Sequence, residues 1–121
     1  MKKSNNFLLG QKGEEIAAFY LANHGYTIIE RNFKKRYGDI DIVAKKGETL
    51  IFVEVKTRKT NAYGLPVEAI TPWKLRNLLK YVEYYKLVKN LSDVSMRIDL
   101  ISVSFHSKNH PEIKHFQNIT F

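Results

Sequence analysis

The 121-residue chain has no cysteine, so a disulfide framework and a thiolate zinc site are both excluded. Its first residues lack the long apolar segment of a signal peptide, and no run elsewhere has the apolar length of a membrane span. The four histidines show no metal-ligand spacing. We therefore expect a soluble, cytoplasmic protein with no membrane partner.

The chain also lacks internal repeats, low-complexity segments and a clear linker. Its length suits one domain with a single modest core. We expect residues 1–121 to form that domain, with residues 1–6 as a loose polar terminus. Positive charge is in excess: the formal net charge is +8 and the pI is about 9.7. This excess favours a polyanionic partner.

The most informative feature is a pair of apolar runs that carry acidic residues. Asp39 and Asp41 lie in the first run, and Glu54 stands two residues before Lys56 in the second. Burying carboxylates and a lysine among apolar side chains costs free energy unless something compensates it. A divalent metal ion and a phosphate would compensate both kinds of charge. The pattern therefore indicates a candidate phosphodiester-cleaving site.

We expect the two runs to form a β-hairpin. β-branched residues at 40–44 and 49–57 predict the strands, and residues 45–48 predict the turn, so that Ala44 would pair with Thr49. Side chains alternate between the two faces of a strand. One face would then carry Asp39, Asp41, Val43, Leu50, Phe52, Glu54 and Lys56, and the other Ile40, Ile42, Ile51, Val53 and Val55.

In this register the acidic residues come close together. Asp39 would face Glu54, and Asp41 would face Phe52 and lie diagonal to Glu54, about 7–8 Å away at the backbone. Two carboxylates across that gap could share one Mg²⁺, and Lys56 would reach a phosphate oxygen or the attacking water. The alternative is a strand with one solvated, charged face. The apolar residues at the other end of the face favour the site.

The remaining sequence predicts an α/β fold, a mixed sheet flanked by helices. One helix is expected over residues 13–23, lying over the face that carries Asp41. A second helix should begin at Pro72, with Thr71 as its cap. The other expected elements are strands at 26–30, 97–105 and 117–121 and a basic loop at 31–37.

A set of short motifs follows in a specific order along most of the chain. Its members are Gly10, Gly13, Glu14, Ala17, Leu21, Gly25, Tyr26, Arg31, Asn32, residues 38–41, residues 52–58, Gly64, Pro66, Thr71, Lys74, Arg97 and Asp99. With this set the chain resembles the YraN-like uncharacterised protein family, a branch of the PD-(D/E)xK nuclease superfamily related to archaeal Holliday-junction resolvases. Asp39 departs from the glutamate that is common in that family.

The resemblance implies a restriction-endonuclease-like fold, and it matches Glu14, Asp41, Glu54 and Lys56 to the superfamily's active-site positions. Asp41, Glu54 and the carbonyl of Val55 would hold Mg²⁺ or Mn²⁺, which would acidify a water molecule and neutralise charge in the transition state. Lys56 would position the water or stabilise the phosphate. Glu14 would complete the site or hold a second ion, although the helix dipole also favours a glutamate in a first helical turn.

Two basic segments bracket this site in the sequence. They are Arg31, Lys34, Lys35 and Arg36 before the hairpin, and Arg58 and Lys59 after it. Because neutralised phosphates release counterions, we expect these residues to bind DNA. The alternative is a surface that is basic for solubility. Lys74 and the other cations of the second helix are expected on a solvated face. Its aromatic residues are expected in the core or on an association surface, most of them in the core; they are Trp73, Tyr81, Tyr84 and Tyr85.

The expected function is metal-dependent endonucleolytic cleavage of structured or branched DNA. One alternative is a non-catalytic nucleic-acid-binding module that retains the nuclease fold. Another is a basic assembly protein whose acids only form salt bridges. A junction resolvase would need a homodimer with two-fold symmetry to cut two symmetric strands. The sequence leaves the substrate structure and the number of metal ions open.

Overall fold

The computed structural model describes residues 5–35, 38–59, 70–105 and 110–120. The elements in these residues are α1 (Asn5–Asn23), β1 (Thr27–Lys35), β2 (Gly38–Lys46), β3 (Thr49–Arg58), α2 (Pro72–Val88), β4 (Ser95–Ser104) and β5 (Glu112–Phe116). None of the helices in this part of the chain has both the length and the apolar character needed to cross a membrane.

The strands form one mixed sheet in the order β1-β2-β3-β4-β5. All neighbouring pairs are antiparallel except β3 and β4, which are parallel. A parallel pair needs a crossover connection, and α2 lies in the connection between these two strands. The α/β architecture that the sequence predicts, a mixed sheet flanked by helices, is therefore confirmed.

The two helices cover opposite faces of the sheet. Ala17 and Leu21 of α1 pack against Ile42 and Val53 on one face. On the other face α2 packs against a second set of strand side chains, which includes Val43, Leu50 and Phe52. We predicted the first helix over the face that carries Asp41, with Phe52 on the same face. α1 covers the face opposite Phe52, so the prediction is wrong for the face of Phe52. Both faces of the hairpin are apolar, and strand alternation alone does not tell which helix covers which face.

The turn between β2 and β3 is shorter than predicted. It consists of Gly47 and Glu48, so that Lys46 pairs with Thr49, and the predicted pairing of Ala44 with Thr49 is wrong. Gly47 has a φ of 59°, in the left-handed region that glycine adopts without strain. Because the register error is two residues, the side chains of β3 keep the faces predicted for them.

The shorter turn also changes two predicted cross-strand neighbours. Phe52 pairs with Val43 and not with Asp41. Asp39 pairs with Lys34 of β1, and the β2–β3 pairing ends before it reaches Asp39. The predicted pairs of Asp41 with Phe52 and of Asp39 with Glu54 are therefore wrong.

The regular alternation of β2 breaks at Asp41. The last pair between β2 and β3 is Ile42 with Val53. Ile42 packs with α1, whereas Ile40 packs with α2, so the prediction that both share a face is wrong. β2 keeps a constant register with β1 across this point, and the register shift in that pair lies on β1 between Ile28 and Glu30. Asp41 lies between Ile40 and Ile42, where the pairing of β2 with β3 ends.

Other boundaries also differ from the predicted ones. α1 begins at Asn5, so Asn5 and Asn6 are helical and Glu14 lies in the helix interior, not in its first turn. β1 extends to Lys35 through most of the expected basic loop, because an edge strand tolerates charged residues. β5 is the last strand among the described residues, and residues 117–120 of the strand predicted at 117–121 are not a strand; Asn118 there has a φ of 53°.

The start of α2 agrees with the prediction. The hydroxyl of Thr71 accepts a hydrogen bond from the backbone N–H of Lys74 at 3.1 Å, and Pro72 is the first helical residue. This cap sets where α2 begins, and so where Lys74 stands relative to β3.

Candidate functional site

The departure of β2 from β3 brings the Asp41 carboxylate to the backbone of β3. Its Oδ2 accepts a hydrogen bond from the backbone N–H of Val55 at 2.8 Å. The N–H and C=O of one strand residue point to the same neighbouring strand. By this geometry the carbonyl of Val55 would lie on the side of β3 that Asp41 contacts, and its part in binding a metal ion stays a prediction.

The charge of Asp41 is disfavoured in the folded protein. Burial, the Glu54 carboxylate and, to a smaller extent, Glu14 together raise its pKa to about 7. The N–H of Val55 and the ammonium group of Lys74 act in the opposite direction. The structure thus brings two other predicted acids, Glu54 and Glu14, close enough to raise the pKa of Asp41. A cation between them would relieve that repulsion.

Glu54 projects from β3 toward α2 and is only 7% exposed. Its Oε1 lies 3.9 Å from Nζ of Lys56 and 3.4 Å from Nζ of Lys74. The prediction that Lys74 belongs only to a solvated face is therefore wrong. Helical periodicity assigns a lysine to a face, but its long flexible side chain can reach well beyond that face. The sequence signal that could have assigned Lys74 to the site is its place, with Thr71, in the set of family motifs.

Glu14 comes to the site from the other face of the sheet. Its Oε1 lies 3.9 Å from Nε of Arg31 on β1. The preceding residue, Gly13, packs so closely on β3 that a Cβ atom there would overlap the side chain of Thr57. This close approach sets the distance between the helix and the strand that carries Glu54.

The predicted phosphate-binding residues lie on strands on both sides of β2. Arg31 is exposed on β1. Arg58, the last residue of β3, is half-buried, and Lys59 after it is exposed. The backbones of Lys34 and Lys35 form the end of β1. Arg36 lies outside the described residues. Their contacts with DNA stay a prediction.

In the part of the chain that the structure describes, no group of three or more His, Cys, Asp or Glu side chains is placed to hold a metal ion. Asp41, Glu54 and Glu14 therefore do not form a three-carboxylate metal group in this structure. The smaller predicted set is Asp41, Glu54 and the carbonyl of Val55. All its donors are oxygen atoms, the type that Mg²⁺ prefers.

Asp99, whose role the sequence left open, belongs to a separate buried network. Its carboxylate accepts hydrogen bonds from Arg97 at 3.0 Å and from the backbone N–H of Asn118 at 2.9 Å, and lies 2.8 Å from Nε2 of His115. Burial alone would raise the pKa of Asp99, but the hydrogen bonds from His115 and Arg97 lower it below its usual value. This network fastens β5 and the residues after it to β4.

A family model described as uncharacterised protein family UPF0102 matches residues 13–103. The chain belongs to this family. The match confirms the resemblance to YraN-like proteins. A UPF0102 protein of Geobacter sulfurreducens is 46% identical over 114 residues, which cover 94% of this chain and 89% of the relative. A UPF0102 protein of Persephonella marina is 39% identical over 108 residues, covering 86% of this chain and 93% of the relative.

A solved structure, described as Pyrococcus furiosus SfsA in complex with Ca²⁺, is similar to this UPF0102 chain with a TM-score of 0.40 and 16% sequence identity. The similarity covers 93% of this chain but 63% of that one, so the chain spans less than two thirds of the length of that protein.

Proposed function

We propose that this protein binds DNA and hydrolyses its phosphodiester bonds, with Mg²⁺ or Mn²⁺ as cofactor and structured or branched DNA as substrate. The observation that supports this most is the half-buried Asp41 beside the buried Glu54: burial and the Glu54 carboxylate together raise the pKa of Asp41. A strongly perturbed carboxylate beside charged neighbours is typical of functional sites. A fully solvated surface would not perturb Asp41 in this way.

Each residue has a defined part in this proposal. Asp41, Glu54 and the carbonyl of Val55 would hold the metal ion, and Glu14 would complete the site from α1. The bound ion would lower the pKa of a water molecule and offset charge on the phosphate. Lys56 would position the attacking water or bind a phosphate oxygen. Lys74, which already lies 3.4 Å from Glu54, adds a second ammonium group on the same side.

One observation favours a second candidate, a non-catalytic nucleic-acid-binding module. Glu54 lies within 4 Å of two ammonium groups, so its charge is compensated without a metal ion. In that case the basic residues would still bind DNA, and the acids would only hold the lysines in place.

Metal titration and cleavage assays separate the two candidates. We expect calorimetry to detect Mn²⁺ or Mg²⁺ binding in the wild type and its loss in Glu54→Ala. Four-way junctions, linear duplexes and single strands should be incubated with and without metal. Metal-dependent cleavage of any of them supports the nuclease. DNA binding without metal binding or cleavage supports the non-catalytic module.

The quaternary structure follows from the substrate. If four-way junctions are cut symmetrically, we expect a homodimer with two-fold symmetry, because two equivalent strands need two equivalent sites. Sedimentation equilibrium of the free protein and of its junction complex would measure this. A monomer that cuts both strands in one binding event would contradict it.

A further inference from the structure

Trp73 is the single tryptophan of the chain and the second residue of α2. Its side chain is 68% exposed, although most aromatic residues of this helix are expected in the core. One exposed aromatic side chain is common on protein surfaces and indicates nothing by itself. The neighbours of Trp73 give it a more specific meaning.

Those neighbours are cations and the candidate site itself. The next residue, Lys74, reaches Oε1 of Glu54 at 3.4 Å. Residues three or four positions apart adjoin on a helix surface, so Trp73 adjoins Arg76, and Arg76 adjoins Lys80. Both of these cations are exposed. The outer face of α2 therefore presents an indole ring and two positive charges, and the residue next to Trp73 in the chain, Lys74, reaches the site.

We propose that Trp73 stacks on an unpaired base of a DNA strand whose backbone lies along Arg76 and Lys80 and whose phosphate reaches Lys74 and Lys56. Aromatic rings interleaved with cations are the usual surface for single-stranded nucleic acid, because the ring binds a base and the cations bind the backbone. In an intact duplex the faces of the bases are covered by their neighbours. This inference rests on the proposed function and names its substrate class, DNA with unpaired bases next to the phosphate that is cut.

Fluorescence gives a direct measurement, because the emission of the single tryptophan reports Trp73 alone. The full-length protein would be titrated at low salt without divalent metal, to prevent cleavage. The probes are a single-stranded oligonucleotide, the same strand with abasic sites in place of its bases, and a blunt duplex of the same sequence. We expect strong quenching by the single strand. The abasic strand and the duplex should bind through their phosphates with little quenching.

Three variants complete the experiment. Trp73→Ala should weaken binding of the single strand about tenfold, within the range for one stacked base, and Trp73→Phe should recover most of the loss. Leu87→Ala, a control at the other end of α2 where the side chain is 77% exposed, should bind like the wild type. Thermal melting checks that each variant is folded.

The outcomes test the stacking of Trp73 and the proposed DNA binding separately. If the wild type binds DNA in a salt-dependent manner but shows no quenching, and Trp73→Ala binds equally well, the stacking inference is wrong and the proposed function stands. Equal quenching by the abasic strand also contradicts stacking. If none of the three DNA probes binds at low salt, the proposed function itself is contradicted, and the inference with it.

Discussion

The proposed metal site needs Asp41 to be ionised, whereas folding favours its protonated form. Its pKa rises from the usual 3.8 to about 7 on folding, first because it is buried and then because Glu54 is near. Between these two values the folded state keeps a proton that the unfolded state has lost. The contribution of Asp41 to the free energy of unfolding is therefore most favourable below about pH 4 and becomes less favourable as the pH rises toward 7.

The first prediction concerns this pH dependence. Asp41→Asn removes the titrating group but keeps an oxygen that can accept from Val55. We expect the variant to gain stability relative to the wild type as the pH rises from about 4 to about 7. Urea unfolding midpoints of both proteins without metal measure the difference. A difference that does not change with pH would show that Asp41 does not titrate in this range.

The second prediction separates metal binding from chemistry. Glu54→Ala removes a proposed metal ligand, so metal affinity and cleavage should both collapse while DNA binding persists or tightens. Lys56→Ala should leave metal binding nearly intact and lower cleavage about 10²–10³-fold, the scale for loss of one preorganised electrostatic group. Calorimetry and single-turnover cleavage measure the two effects.

Glu15→Ala is the matched control for these variants, because Glu15 is exposed on α1 next to Glu14. It should behave like the wild type. If Glu54→Ala cuts DNA as well as the wild type does, the site lies elsewhere and our assignment is wrong.

Residue types and strand periodicity were enough to predict that Asp41, Glu54 and Lys56 cluster. Because the register error was two residues, the side chains of β3 kept their predicted faces. The predicted cluster was therefore correct although the predicted turn was not. Periodicity could not predict that Ile40 and Ile42 face opposite helices, because nothing in the local pattern marks that change. It also could not predict the contact of Lys74 with Glu54, which depends on how α2 crosses β3.

At the scale of elements, the contact between α1 and β3 determines how Glu14 approaches the strand that carries Glu54. Gly13 has no room for a Cβ atom, because Thr57 lies directly against it. Gly10, on the same helix, has nothing within 4 Å of that position. The two glycines therefore form a matched pair for measuring the packing.

The third prediction uses that pair. Gly10→Ala should stabilise the protein by up to about 1 kcal/mol, because alanine favours the helix. Gly13→Ala should instead destabilise it by about 1–3 kcal/mol through overpacking. Adding Thr57→Ala should restore part of that loss, and a double-mutant cycle by urea unfolding gives the coupling. Additive effects of the two changes would mean that the helix does not touch β3 there.

Local signals also explain which elements could be predicted. The cap and first residue of α2 were correct because Thr71 and Pro72 act within one turn of chain. The prediction of the face covered by α1 was wrong because the strands that α1 packs against are distant in sequence. β1 was predicted too short because its charged second half looks like a loop, although pairing with β2 holds it as an edge strand.

At the scale of the whole molecule, positive charge outweighs negative charge by eight units. Basic residues on β1 and at the end of β3 lie on both sides of the strand that carries Asp41. A field of this sign concentrates a polyanion around the site and carries little information about base sequence.

The fourth prediction is that DNA affinity is largely electrostatic. The logarithm of the affinity should fall linearly with the logarithm of the salt concentration, with a slope of about −0.9 per phosphate contacted for duplex DNA. Changing Lys34, Lys35 and Arg36 to Glu, three reversals of two charge units each, takes the formal net charge from +8 to +2. All sequences should then bind more weakly by a similar factor, as fluorescence anisotropy can measure. Salt-independent binding would contradict the prediction.

The hydrogen bond from Val55 to Asp41 makes one backbone amide a reporter of the site. Most amides of β3 are held by neighbouring strands, but this one is held by a carboxylate whose charge changes near neutral pH. An ionised carboxylate holds an N–H more strongly than a neutral one. Once the ordinary pH dependence of hydrogen exchange is subtracted, deuterium uptake at Val55 should slow as Asp41 loses its proton. The amide would then follow the state of the site in solution without any substrate.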